Sequence, residues 1–314
     1  MRGFTIWGVF IGSLMALAFG LEGYAADLFR KLLLTATLCV GFNFLFGIAG
    51  QIAFSHIAFY GIGAYGVVIL GFQLDFPLPL AILGAVLICG VIALVVAIPS
   101  TRLEGFFLAL ATLAFAQLFS VVLLQGGEVT GGPQGLSGYP TPDLFGIKLE
   151  GRAYTVVISI VFLSTLAILL LIDRSWFGRA CRAVRDNSAT AAAMGVNVFR
   201  IKVAAFTLTS TLAGVAGVSY AFVDNYLSPI VFGLEPMFLL LFMIIIGGTG
   251  RHVGAIIGAI LLFLAPEVLE EWVGRHYLLF FGILVVGTIL FQPNGLIGMW
   301  ETLWKRRNRR VIPR

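Results

Sequence analysis

The sequence predicts an all-α, polytopic integral membrane protein of about ten transmembrane helices, some of them broken or re-entrant. The chain of 314 residues is 60% hydrophobic and only 11% charged, with a mean hydropathy of +1.03, whereas soluble domains carry about 25% charged residues. Its apolar runs are long enough for helices that cross a bilayer, rather than for barrel strands. The 38 glycines suit close packing of helices in lipid.

Ten apolar runs follow one another along the chain. They are predicted as spans at about 4–21, 28–48, 52–72, 78–98, 106–124, 153–172, 203–223, 236–250, 254–266 and 277–297. The eighth and ninth are short for a bilayer about 30 Å thick, so they are expected to be tilted, broken or partly re-entrant. The first resembles a signal peptide with a small-residue cleavage site near Ala25, but its apolar run is long for one, and we expect a retained helix.

The placement of charge orients these spans. With residues 173–202 in the cytoplasm, all but five of the 20 basic residues lie inside, as the positive-inside rule requires. Both termini are then cytoplasmic, so the net charge of +5 reflects topology rather than nucleic-acid binding. We expect a single transmembrane domain over 1–301 and a basic tail, 302–314, close to anionic lipid. The five basic residues outside are Arg30, Lys31, Lys148, Arg152 and Arg275.

No Asp, Glu, Lys or Arg falls deep inside a predicted span, and His56 is the only titratable group predicted there other than cysteine and tyrosine. Carriers coupled to protons or ions usually keep buried ionisable groups, so energy is expected to enter from another protein at the cytoplasmic surface. Sodium coupling through backbone carbonyls stays open. The spans hold no clustered acids and no nucleophile–base pair, which disfavours an enzyme. Cys39, Cys89 and Cys181 lack metal-like spacing, and neither a cofactor nor a metal is predicted.

The cytoplasmic connection 173–202 is the longest between spans on that side. A short helix is predicted within 186–195, because Asp186, Asn187 or Ser188 can cap its start and "SATAAAM" forms helix well. Gly195, with Asn197 after it, is expected to stop it. Such a helix can couple the membrane part to a motor protein. The alternative is a basic loop that serves topology alone.

The stretch "GQIAFSHIAFYGIGAYG", Gly50–Gly66, places polar and small residues inside an oily run. If it forms one helix, Gln51, Ser55, His56 and Gly63 share one face, with Phe59 interspersed. We predict that these residues line a solute path. The alternative is close packing on neighbouring helices, with His56 as a neutral, hydrogen-bonded core residue.

Two glycine-rich joints stand out beyond this stretch. The outer loop 125–152 contains Gly131 and Gly132, and is either an ordinary surface loop or a docking and gating element. Gly247, Gly248 and Gly250 interrupt the eighth and ninth spans. They predict either a broken helix beside a pore or a tight helical hairpin.

Several of these stretches together resemble LivM-type permeases. The similar segments are Gly50–Gly66, "TRLEGFFLALATLAFAQ" (101–117), "TGGPQGL" (130–136), 182–217 and "GGTGRHVGAIIGA" (247–259), in the right order along the chain. The resemblance implies a permease subunit, not an enzyme, of an ATP-driven ABC importer for branched-chain amino acids in a bacterial or archaeal plasma membrane. It implies a related permease as heterodimer partner, two cytoplasmic ATPase subunits and an extracytoplasmic binding protein.

The same resemblance assigns ATPase coupling to the predicted helix. Importers of this kind often carry Glu-Ala-Ala before the glycine, but Ala189, Thr190 and Ala191 stand there, ahead of Gly195. The glutamate is absent, so the nearest charged candidates for the ATPase contact are Arg185 and Asp186. The sequence has no Gly-x-x-x-x-Gly-Lys-[Ser/Thr] loop to hold a nucleotide. The alternatives are an ABC permease for urea or another small polar solute, and an ion-coupled secondary transporter.

Overall fold

The computed structural model describes residues 12, 14, 16–139, 142–144, 147–148 and 150–273, together with the short pieces 282–283, 286–287 and 295–298. These residues are mainly helical, with a few two-residue strands. Six of the described helices are long and apolar enough to cross a membrane, and two shorter apolar helices follow them. The predicted spans 4–21 and 277–297 lie largely outside the described residues, as does all of the tail 302–314.

The helices follow in chain order: α1 (Gly23–Asn43), α2 (His56–Val68), α3 (Leu78–Ser100), α4 (Phe106–Gln125), α5 (Gly151–Arg174), α6 (Trp176–Asp186), α7 (Ser188–Ala193), α8 (Val198–Tyr220), α9 (Leu234–Gly247) and α10 (His252–Val273). Wide π-helical turns extend α1 over Phe44–Ile48 and α2 over Ile69–Gln73. Short helical turns occur at Gly127–Thr130, Gly132–Gln134 and Pro229–Phe232. The strands are β1 (Leu136–Ser137), β2 (Asp143–Leu144), β3 (Ile147–Lys148) and β4 (Tyr226–Leu227).

The second to ninth predicted spans each coincide with one described helix, but one boundary is wrong. Gly50–Gly66 is not a single helix, because α2 begins only at His56. Gly50 has a φ of +69°, a left-handed conformation that ends the preceding helical run. Residues 51–53 have no regular secondary structure and 54–55 form a turn. The common helical face predicted for Gln51 and Ser55 with Gly63 therefore does not exist.

Helix α2 lies at the centre of the bundle, with Gly66 its only residue that is not buried. It packs closely on α8 because glycines face backbone at the crossing. A β-carbon on Gly63 would overlap the carbonyl of Gly214, and one on Gly217 would overlap the carbonyl of Tyr60. Small residues that let helix backbones approach in this way favour association in lipid, where dispersion contacts replace the hydrophobic effect.

Helix α3 shows how the bundle separates its core from its surroundings. One stripe of small residues, spaced four apart, is fully buried: Ala81, Ala85, Cys89, Ala93 and Ala97. The opposite side exposes large apolar side chains: Leu80, Leu83, Leu87, Val91, Leu94, Val95 and Ile98. A soluble monomer rarely exposes so much contiguous apolar surface. The pattern therefore indicates a helix that faces lipid or another membrane subunit.

The outer loop is folded against the bundle rather than extended from it. Strand β1 pairs antiparallel with β4, so that Leu136 lies opposite Leu227. The Tyr139 hydroxyl donates to the Ala221 carbonyl at 2.5 Å, and the Tyr226 hydroxyl donates to the Gln134 carbonyl at 3.0 Å. Strands β2 and β3 form a second antiparallel pair within the loop.

Helices α9 and α10 form a tight hairpin, which was one of the two predicted forms of this joint. Gly248 and Gly250 turn the chain with φ values of +120° and +77°. The helices then pack closely, since a β-carbon on Gly247 would overlap the Gly254 carbonyl and one on Gly258 would overlap the Met243 carbonyl. The glycines thus serve both the turn and the helix contact.

The α2–α8 crossing yields a first prediction. Gly217→Leu is expected to lower the free energy of unfolding by at least about 1–3 kcal/mol, because the new side chain overpacks a contact with backbone. The measurement is the thermal unfolding midpoint of the detergent-solubilised protein. Gly20→Leu is the control, since a β-carbon at Gly20 meets nothing within 4 Å. Equal midpoints for the two variants would contradict the close approach.

Candidate functional site

Helix α6 is amphipathic and docks on one end of the bundle, here called the α6–α7 end. Ser175 begins it, with its hydroxyl accepting from the Phe177 amide at 3.1 Å. Gly178, Cys181 and Val184 recur at helical spacing and are buried against the bundle. Arginines occupy the remaining faces. Burial raises the pKa of the Cys181 thiol to about 12, with a smaller lowering effect of the Arg182 guanidinium.

Helix α7 is short, and only Ala191 of its six residues is buried. The Asn187 side chain caps it by accepting from the Thr190 amide at 2.9 Å, as predicted for this position. Gly195, at a φ of +86°, ends it. Asn197 does not stop this helix but caps the next one, accepting from the Arg200 amide at 3.0 Å. Ala189, Thr190 and Gly195 are exposed, whereas Ala191 is buried. A small, largely neutral helical surface is thus presented outward.

Arg185 and Asp186 join these two helices to the membrane part. The Arg185 guanidinium donates to the Gly47 carbonyl at 2.6 Å and to the Asp186 carboxylate at 2.8 and 3.0 Å. Gly47 belongs to the π-helical turn that follows α1. A charged donor on this carbonyl is a strong hydrogen bond. Arg185 therefore connects α6 to the bundle, although its side chain remains 38% exposed.

The α9–α10 hairpin meets the same π-helical turn. The Asn43 side-chain oxygen accepts from the Gly250 amide at 2.8 Å, and a β-carbon on Gly47 would overlap the backbone of Gly250. The group formed by Asn43, Gly47, Arg185 and Gly250 is here called the junction. It connects the end of α1, the α9–α10 turn and the end of α6 through a few short contacts.

A second link runs beside the junction. Asp173, at the end of α5, pairs with the Arg182 guanidinium of α6. Its other carboxylate oxygen lies 3.8 Å from Nε2 of His252 at the start of α10. The buried His252 ring stacks on Phe44 with centroids 6.5 Å apart. These contacts link α6 to α5, α10 and the π-helical turn, so α6 cannot be displaced without changing its contacts with them.

The predicted path residues near the start of α2 are buried in the bundle. Gln51 donates from Nε2 to the Lys202 carbonyl at 3.0 Å, so it ties the 47–55 segment to the start of α8. Ser55 is buried just before α2 begins. The amide of Phe54 in this segment donates to the Thr112 hydroxyl of α4 at 2.9 Å.

His56, Phe59 and Gly63 lie deeper along α2. The His56 ring packs on Phe42 with centroids 5.6 Å apart, and neither ring nitrogen has a hydrogen-bond partner among the described residues. Phe59 stacks on Phe115 and meets Phe206 edge-on. Gly63 lies on Gly214. The structure brings these three residues together in helix–helix contacts rather than around an open space.

The predicted glycine joints fall at opposite ends of the bundle. Gly247, Gly248 and Gly250 lie at the α6–α7 end, where Gly250 takes part in the junction. Gly131 and Gly132 lie in the outer loop with φ values of +73° and +53°. The Thr130 hydroxyl accepts from the Gly132 amide at 3.4 Å, so this joint is bound within the loop.

The sequence reasoning missed several residues that the structure places at the junction. Asn43 gave a usable signal, because an amide in an apolar run is costly unless it bonds to backbone. Asp173, Arg182 and His252 gave a weaker one, since charges at the ends of spans also serve topology. Their pairing depends on tertiary contacts that no local pattern contains.

Taken together, the six membrane-length helices and the docked α6 at one end of the bundle are typical of a multi-pass membrane protein. A family model described as the permease component of branched-chain amino acid transport systems matches residues 24–289. The chain belongs to this family of transport permeases, which are not enzymes, and is a multi-pass protein of the plasma membrane.

Curated relatives agree with this membership. The chain is 29% identical to the high-affinity branched-chain amino acid permease LivM of Escherichia coli, over 96% of this chain and 77% of the relative. It is 26% identical to the permease LivH of Salmonella typhimurium, over 85% of this chain and 92% of the relative. A probable LivM of Methanocaldococcus jannaschii is 25% identical, over 69% of this chain and 67% of the relative. No solved structure matches the chain.

The junction yields a prediction that uses Cys181 as a reporter. Because the docked thiol is buried with its pKa raised to about 12, it reacts with a maleimide at pH 8 only when α6 leaves the bundle. Arg185→Ala removes a charge-assisted hydrogen bond worth about 1.5–3 kcal/mol. We expect labelling of Cys181 to accelerate by about tenfold or more.

The control for this measurement is Arg179→Ala. Arg179 is exposed on the same helix, and its guanidinium donates only to the nearby Arg174 carbonyl among the described groups. Its replacement is expected to leave the labelling rate of Cys181 unchanged. If both variants label at the wild-type rate, Arg185 does not hold α6 on the bundle.

Proposed function

We propose that this chain is the membrane-spanning permease subunit of an ATP-driven ABC importer that translocates branched-chain or other apolar amino acids. Family membership supports the transport role, and the names of the LivM and LivH relatives support the substrate class. The observation that carries the mechanism is the docked α6–α7 pair. Its exposed α7 surface leads directly into the junction through Arg185.

The partners follow from this assignment. A related permease forms a heterodimer with this chain, two ATPase subunits bind on the cytoplasmic side, and a binding protein delivers substrate from outside. About ten spans with both termini in the cytoplasm place α6 and α7 on the ATPase side, in line with the basic residues there. The outer loop, with Gly131 and Gly132, then lies on the side of the binding protein.

The distribution of charge in the described helices supports an external energy source. The six membrane-length helices keep their Asp, Glu, Lys and Arg side chains near their ends. Buried ionisable groups of the kind that relay protons are absent from the described middle of these helices. An ATPase that moves α7 supplies the work instead, and α6 carries the displacement to α5, α10 and the π-helical turn.

In this mechanism Arg185 passes the displacement of α6 to the π-helical turn and does not itself form the main ATPase contact. Its guanidinium faces the Gly47 carbonyl, which leaves Ala189, Thr190 and the exposed end of α7 as the docking surface. Gln51 ties the 47–55 segment to α8, so displacement of the junction also reaches the start of α2. We propose that the predicted path residues face the substrate only when that displacement opens the α2–α8 contact. These residues are Gln51, Ser55, His56, Phe59 and Gly63.

Transport by the reconstituted complex tests the function. The complex is placed in vesicles, and uptake of labelled leucine is measured with ATP and, separately, with ion gradients collapsed. We expect uptake that requires ATP, survives loss of the gradients and is inhibited by isoleucine and valine but not by urea. Uptake that persists without ATP and disappears with an ion gradient would identify a secondary carrier instead.

The docking surface gives a further prediction. Ala193→Trp places a large side chain on the exposed end of α7, and we expect it to abolish stimulated ATP hydrolysis by blocking the cleft of the ATPase. The thermal unfolding midpoint of the permease should not change, because the residue contacts solvent. Ala25→Trp, at another exposed alanine, which lies at the opposite end of the bundle, is the matched control and should retain stimulated hydrolysis. Normal hydrolysis in Ala193→Trp would place the ATPase contact elsewhere.

A further inference from the structure

A cavity of about 230 Å³ lies between α1, α2, α8, α9 and α10, away from the junction. Its wall is mostly apolar and is formed by Leu38, Ile57, Leu239, Leu240, Met243 and Phe263. Pockets for drug-sized ligands span about 300–1,000 Å³, so this one suits a smaller molecule. An apolar wall alone is compatible with many ligands, so the ligand class is inferred from the polar groups of the cavity.

Two tyrosines and a threonine supply neutral polar groups to this cavity. The rings of Tyr60 and Tyr220 lie 5.3 Å apart, and Tyr60 is only 5% exposed. Neither phenol donates a hydrogen bond to another described group, and neither hydroxyl oxygen is among the fully buried atoms without a partner. The Thr35 hydroxyl, by contrast, already donates to the Lys31 carbonyl at 2.9 Å. The phenols are therefore free to bind a ligand.

A pair of opposite charges stands at the edge of this cavity. Lys31 lines it, and the Lys31 ammonium lies 2.9 Å from the Asp224 carboxylate. Both side chains are a little over one third exposed. The neighbouring Arg30 is engaged elsewhere, since it pairs with Asp27 at 2.7 Å and donates to Thr155 at 3.0 Å. Lys31 and Asp224 thus offer one cation and one anion beside an apolar space.

We propose that this cavity binds the translocated α-amino acid. Lys31 binds its carboxylate, Asp224 binds its ammonium group, and the apolar wall receives its side chain. Binding replaces the Lys31–Asp224 ion pair by two ion pairs to the ligand, so each charged group keeps a partner of opposite sign when the ligand displaces water. The phenols of Tyr60 and Tyr220 donate to the carboxylate or accept from the ammonium. The proposal rests on the proposed function and names the place where its substrate is held.

The charges distinguish this occupant from an anionic lipid. An acyl chain would satisfy the apolar wall, and a lipid phosphate would pair with Lys31. The Asp224 carboxylate, however, would then lie unpaired beside that phosphate, which is unfavourable. A ligand that carries both charges on one carbon matches the pair without such a cost.

Transport kinetics of the complete importer in vesicles test the charges. Lys31→Met and Asp224→Asn are expected to lower kcat/KM for leucine uptake by about tenfold or more, because each removes a charged partner of the substrate. Arg152→Gln, which breaks the exposed Arg152–Glu22 pair, is the matched control and should transport normally.

A cysteine protection experiment tests occupancy directly. The native thiols of Cys39, Cys89 and Cys181 are all buried and label slowly, so the labelling of Thr35→Cys is measured after subtraction of the wild-type labelling under the same conditions. N-ethylmaleimide should label it more slowly when the complete importer is supplied with leucine, binding protein and ATP. Gln73→Cys, an exposed position outside the cavity lining, should label equally fast with and without leucine.

The outcomes separate the two proposals. If the wild-type importer shows no ATP-driven leucine uptake, the proposed function fails. If it transports leucine, but Lys31→Met and Asp224→Asn transport like Arg152→Gln and leucine does not protect Thr35→Cys, the cavity assignment alone is overturned. Protection by phospholipid and not by leucine would likewise overturn it and assign the cavity to a lipid.

Discussion

The structure depends on satisfying backbone groups where α1 leaves its helical path. Helices cross a membrane because each carbonyl and amide has a partner within the helix, and any break exposes polar groups that the apolar surroundings cannot bind. Here the break runs from Gly47 to Ser55. Arg185 binds the freed Gly47 carbonyl, and Asn43 binds the amide of the facing turn at Gly250. These bonds come from elements far apart in sequence, so the break fixes where α6 and the α9–α10 hairpin must lie.

The same need explains why several elements meet within a small space at the α6–α7 end. Gly47 and Gly250 have no side chains, so their backbones meet closely enough for single hydrogen bonds to span the gap. The charged Arg185 link contributes about 1.5–3 kcal/mol, and a neutral link such as that of Asn43 contributes about 0.5–1.5 kcal/mol. Together with the Asp173 pair to Arg182 and His252, they connect four elements at one place. A displacement of α7 thus reaches α5, α10 and the π-helical turn through this group, and it reaches α8 directly through residues 194–197 of the chain.

Three features could be predicted from the sequence, because they depend on local hydropathy and capping: the membrane character of the chain, its eight described apolar helices and the short helix α7. Asn187 and Gly195 acted as their residue types indicate. The start of α2 could not be placed this way, since the apolar pattern continues through residues 51–55 while the backbone does not. Nor could the meeting of Gly47 with Gly250, or of Lys31 with Asp224, which depends on how distant segments pack.

The π-helical turn at Phe44–Ile48 has a geometric consequence of its own. Such a turn closes its hydrogen bonds over five residues instead of four and so contains one residue more than an α-turn. Rewinding it to α-geometry would release that residue into the segment before α2 and rotate the following chain by about 100° relative to α1, the angle of one residue in an α-helix. The π-helical turn therefore contains one extra residue, equivalent to one residue of helical rotation, at the carbonyl that Arg185 binds.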